Sequence, residues 1–203
     1  MNKFDRKGSN EMRVTVGEYF SFIYIGFMFI VGVSLLNTGN DFNAIVAFAG
    51  VLCGLAPLLF QWKWKTKFET SLMVSYILFC FGSQYLGSIR KWYSLGYWDM
   101  LMHLIAGILL GFIGVRVLQA ITKETVLSQL SGQHVFWFVK GFGVFWGAVW
   151  EVYEFTGDQL FGTTMQGNGN PDTMTDLICD LVGSMLVAIW YKKKHMKKYD
   201  LNK

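Results

Sequence analysis

The sequence predicts an all-α, polytopic integral membrane protein, a single bundle of six transmembrane helices with both the N- and C-termini cytoplasmic. Three observations predict this. Of the 203 residues 53% are apolar and only 16% are charged, where a soluble domain carries about 25% charged residues. Six separate stretches approach the about 20 mostly apolar residues that cross a bilayer as a helix. The basic residues, finally, collect at alternate ends of those stretches.

The stretches lie at 18–36, 42–60, 68–86, 98–119, 136–157 and 174–191. A cytoplasmic leader (1–17) precedes the transmembrane domain (18–191), and a basic cytoplasmic tail (192–203) follows it. No small-x-small cleavage signal follows the first stretch, so it reads as a retained span rather than a cleaved signal peptide. The connections are short except between spans five and six. Cys53, Cys80 and Cys179 lie singly inside apolar runs, which excludes a disulfide framework and a CxxC metal site. The net charge of +4 comes from short clusters beside apolar runs. It forms no continuous patch, so nucleic acid is not an expected partner.

Orientation follows from the bases. Sixteen of the eighteen Lys and Arg residues fall on one side: the leader (Lys3, Arg6, Lys7, Arg13), the second connection (Lys63, Lys65, Lys67), Arg116, Lys123 and Lys140, and the tail from Lys192 to Lys203. Arg90 and Lys91 alone fall on the other. The bias assigns the basic side to the cytoplasm of a bacterial cell membrane.

The acids distribute differently. Asp5, Glu11, Glu18, Glu69, Glu124 and Asp200 join the bases, and Asp41 sits in the first outer loop. The other seven occupy the outer halves or outer boundaries of spans four, five and six. Asp99 and His103 are four apart and share a helical face. Glu151, Glu154 and Asp158 follow i, i+3, i+7; Asp172, Asp176 and Asp180 follow i, i+4, i+8 and descend about 12 Å into the bundle. Ionisable groups at that depth cost on the order of 2.5–3.5 kcal/mol each and face the bundle interior or a wet cavity. Seven carboxylates with so few cationic partners need protons or a bound cation.

Carboxylates with one imidazole suit a divalent metal (Zn, Mn, Mg, Ca or Fe), and helical bundles build such sites from facing acids and histidines. The expected ligands are Asp99, His103, Glu151, Glu154, Asp176 and Asp180. Glu151, Glu154 and His103 are the candidate catalytic groups, an acid left free of metal serving as general base. Arg90, Lys91, Trp150 and Asp172 are candidate substrate contacts.

Plainer readings stand beside these. Asp172 after Pro171 reads as an N-cap, and Asp99 can cap span four in the same way. Arg90 and Lys91 read equally as headgroup contacts or as neutralising charges, and Asp158 reads as solvated. The deep acids are alternatively an interhelical hydrogen-bond network. His134 and His195 read as surface residues. Gly107 with Gly111, and Gly143 with Gly147, are small-xxx-small pairs that would let spans four and five approach closely. Trp62, Trp64, Trp92, Trp98 and Trp190 read as interfacial anchors, while Trp146 and Trp150 lie deeper and would line a cavity. The segment Phe161 to Pro171 reads as a lid or as a flexible connector.

The motifs WDMLMH (Trp98 to His103), WEVYE (Trp150 to Glu154) and GNGNPDTMTDLICDLVGS (Gly167 to Ser184) resemble the YjdF-like bacterial inner-membrane proteins. That family is related to the VanZ-like group associated with glycopeptide resistance. The resemblance covers about half the chain and implies a polytopic bacterial membrane protein without supplying a reaction. The Asp172-x₃-Asp176-x₃-Asp180 spacing is also similar to the acidic motifs of membrane prenyltransferases and CDP-alcohol phosphatidyltransferases. The D-G-x-x-A-R element of the second class is absent, and both classes work at the cytoplasmic face.

The expected function is therefore metal-dependent hydrolysis or transfer on a lipid or lipid-linked substrate at the extracytoplasmic surface. The alternatives are a cation- or proton-coupled transporter, or a non-catalytic protein that binds a lipid or an antibiotic target.

Overall fold

The computed structural model describes residues 14–167 and 169–200, all helices, turns and connections with no strand among them. Six helices are long and apolar enough to cross a membrane. They are α1 (Val16–Asn37), α2 (Asp41–Trp64), α3 (Thr70–Cys80, prolonged by the π-helical segment Phe81–Ile89), α4 (Trp98–Ile121), α6 (Gly132–Phe161) and α7 (Asn170–Asp200). The short α5 (Glu124–Leu127) lies between α4 and α6. The leader bases Lys3, Arg6, Lys7 and Arg13, and Lys203 of the tail, lie outside the described residues.

Local chemistry sets the ends. Thr15 and Glu18 form a reciprocal capping box at the start of α1, Glu18 N donating to Thr15 Oγ1 at 3.3 Å and Thr15 N to Glu18 Oε2 at 2.6 Å. Ser131 caps α6 through His134 N. Gly162 ends α6 at φ +64°, a left-handed conformation that suits a residue without a side chain. α7 runs unbroken from Asn170 through Asp200, so residues 192–200 prolong the sixth span as helix.

The bundle has two halves. α1, α2 and α3 pack around Tyr24, Met28, Ala47, Ile77 and Cys80. α4, α6 and α7 pack around Val115, Leu118, Val135, Val139, Val187, Ala188 and Tyr191. The α3–α4 contact joins them. Pro57 sits inside α2 and lacks the N–H that would bond the carbonyl four residues back. That carbonyl belongs to Cys53, and Tyr76 of α3 donates its hydroxyl to it at 3.1 Å. A backbone group freed inside the membrane is thus satisfied from the neighbouring helix. Gln84 extends the network, donating Nε2 to Cys53 Sγ at 3.2 Å and accepting from the Tyr24 hydroxyl.

The glycine pairs correct one expectation. Gly107 packs on the Asp180 backbone and Gly111 on Val187, while Gly143 meets Ser184 and Gly147 meets the Asp180 carboxylate. Both pairs therefore face α7, and Gly143 also approaches α4, near Gly107 O. Gly183 completes the arrangement, pressed on the α4 backbone at Leu104 and Gly107. The sixth span is the one clasped between the other two, because facing glycines on all three helices let them meet where larger side chains would hold them apart.

At the basic end, Lys67 pairs with Glu18, Arg116 with Glu69 and Lys198 with Glu124. Glu18, which the sequence left among the cytoplasmic acids, is buried there beside Gln61. His195 is a second correction. It is 3% exposed, with Nε2 2.9 Å from Leu130 O, because the prolonged α7 carries it against the α5–α6 connection. His134 is exposed, as expected.

Candidate metal centre

α4 begins at Trp98, whose indole Nε1 donates to Gly82 O of the π-helical segment at 3.2 Å. Tyr97 occupies the cap position. Asp99 is therefore the second helical residue and not an N-cap, and its carboxylate is turned along the helix toward His103. Asp172 is likewise the third residue of α7, not its cap, since the helix already begins at Asn170. The cap readings fail because both helices start earlier than the acid.

His103 is at the centre. Nδ1 lies 3.2 Å from Asp180 Oδ2, a hydrogen bond that an ionised carboxylate accepts from Nδ1–H. A neutral imidazole bonded in this way keeps its Nε2 lone pair free. Around Nε2 stand three carboxylate oxygens from three helices: Asp99 Oδ1 at 3.8 Å, Glu151 Oε1 at 3.8 Å and Asp176 Oδ2 at 3.9 Å. These separations are too long for hydrogen bonds. Two ligands each about 2.1 Å from one ion lie at most about 4.2 Å apart, and each of the three oxygens is within that span of Nε2. Asp99, His103 and Asp176 offer ligand atoms lying within 4.8 Å of one another.

The cluster is dry. His103 is 6% exposed, Glu151 5%, and Asp176 and Asp180 1% each. Both oxygens of Glu151, with Asp176 Oδ2 and Asp180 Oδ1, meet no hydrogen-bond partner of good geometry among the described residues. Buried carboxylate oxygens without donors are costly. Asp180 reaches its position only because residue 147 is glycine; a Cβ there would lie 2.8 Å from the Asp180 Cγ.

Glu154 is placed apart. It is buried, and its Oε1 accepts from Trp150 Nε1 at 2.8 Å. Together with Asp99, His103 and Asp180 it lines the polar end of a cavity of about 230 Å³. Trp146 and Trp150 line this cavity as the sequence predicts. Asp158 is no merely solvated acid. It accepts from Thr163 Oγ1 (2.6 Å), Met165 N (2.8 Å) and Gln166 N (3.0 Å) and so ties the start of the α6–α7 connection to α6. Gln166 Nε2 donates in turn to Thr173 Oγ1 at 2.9 Å. Asp172 is half-buried, packed beside Gly167 of that connection. Arg90 and Lys91 are exposed at the end of the third span; neither lines the cavity nor pairs with the cluster among the described residues.

The sequence reading missed the contribution of the third span. The π-helical segment carries Ser83, whose Oγ lies 2.8 Å from the Tyr93 hydroxyl, and both line the cavity. The Tyr93 ring rests on Gly87. Burial, with the nearby Asp99, Glu154 and Asp176, pushes the Tyr93 phenol above its ordinary range and keeps it protonated. The signal was the glycine- and serine-bearing run GSQYLGS inside an otherwise apolar span, the setting in which π-helical turns mark functional sites.

Comparison with known proteins places the chain without assigning it an activity. It is 31% identical over 128 residues to an uncharacterised protein of Thermotoga maritima, a match that covers 62% of this chain and 64% of the relative. The matched stretch thus spans less than two thirds of that relative's length. No solved structure matches the chain. The family described as "Predicted membrane protein (DUF2238)" matches residues 19–197, nearly the whole described chain and every residue of the cluster. With six helices fit to span a membrane and that match over nearly its full length, this chain belongs to the DUF2238 membrane-protein family.

Proposed function

We propose that this protein is a membrane-embedded, divalent-metal-dependent hydrolase or transferase acting on a lipid or lipid-linked substrate. Its site would face the extracytoplasmic side of a bacterial cytoplasmic membrane. The observation that carries this reading is the convergence of Asp99, Glu151 and Asp176 on the free nitrogen of one buried imidazole. In this reading those four groups hold the ion. Asp180 fixes the tautomer and orientation of His103, as outer-shell carboxylates do for metal-bound histidines. A bound divalent ion polarises a phosphoryl or acyl oxygen and makes a water acidic. Glu154 belongs to the cavity rather than to the ion, so it is the candidate general base, oriented by Trp150. The likeness of the three motifs to the YjdF-like proteins is part of the same reading, since those motifs contain every proposed ligand.

One observation ranks chemistry above transport. Toward the basic end the α4–α6–α7 interface is filled by Val115, Leu118, Val135, Val139, Val187 and Tyr191. An ion leaving the cluster in that direction meets apolar packing, and intramembrane acids that conduct need polar or wet continuations. The test is elemental analysis of the purified full-length protein beside its Asp176→Asn and Glu154→Gln variants. The reading expects stoichiometric divalent metal in the wild type, loss of metal in Asp176→Asn, and retention in Glu154→Gln. A metal-free wild type that stays metal-free after incubation with Zn, Mn and Mg overturns it.

A further inference from the structure

The cavity has a second, apolar end that a headgroup site alone does not need. Its floor is α4, along which the lining passes from Asp99 and His103 to Ala106, Leu110 and Ile113. From Asp99 to Ile113 is about 21 Å of helix, longer than one leaflet of an about 30 Å hydrocarbon core. One wall is the third span at Tyr76 and Phe79, and the other is α6 at Trp146. The third span and α6 both pack on α4 but have next to no contact with each other among the described residues. The cavity is therefore a crevice between two spans that opens sideways, toward what surrounds the bundle.

We infer that this crevice binds one hydrocarbon chain of a membrane lipid and presents that lipid's headgroup to the acid–histidine cluster. The inference rests on the membrane-embedded site proposed above and names its class of substrate. Polarity carries it. The acids and His103 gather toward one end, and Ala106, Leu109, Leu110, Ile113 and Phe79 line the other, so the crevice matches an amphiphile lying along the bilayer normal. Size decides the occupant. About 230 Å³ is less than the about 300–1,000 Å³ of sites that enclose a whole drug-sized molecule, and a helix about 10–12 Å across does not fit. A single chain threads such a space. A lipid with an oxyanionic headgroup suits the polar end once a cation is bound there, because the cation reverses the sign of the local field.

The test uses full-length protein in phosphatidylglycerol vesicles containing a trace of phosphatidylglycerol with a diazirine at mid-chain. After irradiation, peptide mapping should find labelling several-fold higher on Phe79, Leu110 and Ile113 than on lipid-facing residues of other spans such as Ile30 and Leu52. Ala106→Trp fills the crevice beside α4 and should abolish the excess while retaining wild-type metal; Leu110→Trp is the second variant if the first fails to fold. Uniform labelling that neither variant changes overturns the inference, as does cross-linking of crevice residues to a second copy of the chain. Metal content measured on the same samples separates the two proposals. Enriched labelling in a metal-free protein leaves the crevice standing and removes the metal centre, whereas metal without enrichment does the reverse.

Discussion

His103 Nδ1 and Asp180 Oδ2 lie 3.2 Å apart across the α4–α7 interface, and this bond decides which face of the imidazole the other acids meet. With the proton on Nδ1, Nε2 presents a lone pair to Asp99, Glu151 and Asp176. A carboxylate that bonds the far nitrogen also raises the basicity of the near one. Asp180→Asn should therefore lower metal affinity about 10–100-fold while His103→Ala abolishes binding. Metal titration followed by calorimetry or a fluorescent competitor chelator reads both, and equal affinity in Asp180→Asn and wild type would remove Asp180 from this role.

The same cluster should destabilise the protein when no cation is present. Asp176 is 1% exposed and its Oδ2 has no donor among the described residues, and Asn keeps its shape without the charge. In chelator, Asp176→Asn is expected to melt above the wild type, by about 2–4 °C for each kcal/mol recovered in a chain of this size. In excess divalent metal the order should reverse, because only the wild type gains binding free energy. Thermal unfolding of both proteins in the two buffers checks this, and an order independent of metal counts against a cation site.

Gly147 offers a steric test. An added Cβ meets the Asp180 carboxylate, whereas the same addition at Gly141, on the same helix, meets nothing. Gly147→Ala should displace Asp180 and weaken metal binding at least about tenfold, with Gly141→Ala unchanged. Parallel metal titrations of the two variants discriminate this from a general effect of alanine in α6.

Trp150 holds Glu154 through one indole hydrogen bond. Trp150→Phe keeps most of the apolar ring and removes the donor, leaving a buried carboxylate oxygen short of a partner at a cost of about 1–3 kcal/mol. The expected outcome is unchanged metal content with impaired turnover, once a substrate is in hand, and a lowered melting temperature at once. Loss of metal in this variant would instead move Glu154 among the ligands.

The Pro57–Cys53–Tyr76 arrangement predicts a coupling. Tyr76→Phe should cost about 0.6–1 kcal/mol by leaving the Cys53 carbonyl unpaired. In a Pro57→Ala background the restored N–H bonds that carbonyl within α2, so the same change should cost less. A double-mutant cycle on unfolding in detergent measures the difference, and strict additivity would mean the tyrosine does not serve the freed carbonyl.

Much of this was legible before any coordinate. Hydropathy located all six spans to within a few residues at most ends, because a helix in lipid must satisfy its backbone internally and must be long enough to cross. Helical periodicity placed Asp99 with His103, Glu151 with Glu154, and Asp176 with Asp180, since spacing along one helix is local geometry. The α6 boundaries fell short, 136–157 against Gly132–Phe161, because polar ends of a helix carry no hydropathy signal. His195 was misread for a related reason: a basic run looks like a solvated tail, and its burial depends on α7 prolonging beside the α5–α6 connection.

Sequence by itself determined that acids would line up on single faces of three apolar helices. Tertiary structure alone decided how they are divided: Asp180 behind the imidazole, Asp99, Glu151 and Asp176 in front of it, Glu154 beside the tryptophan. That division depends on the glycines of α4, α6 and α7 seating the sixth span between the other two, and on a π-helical turn bringing Ser83 and Tyr93 to the same cavity. Both are contacts between helices, set by side-chain volume at distant positions, and periodicity along one helix has no term for the helix it will meet.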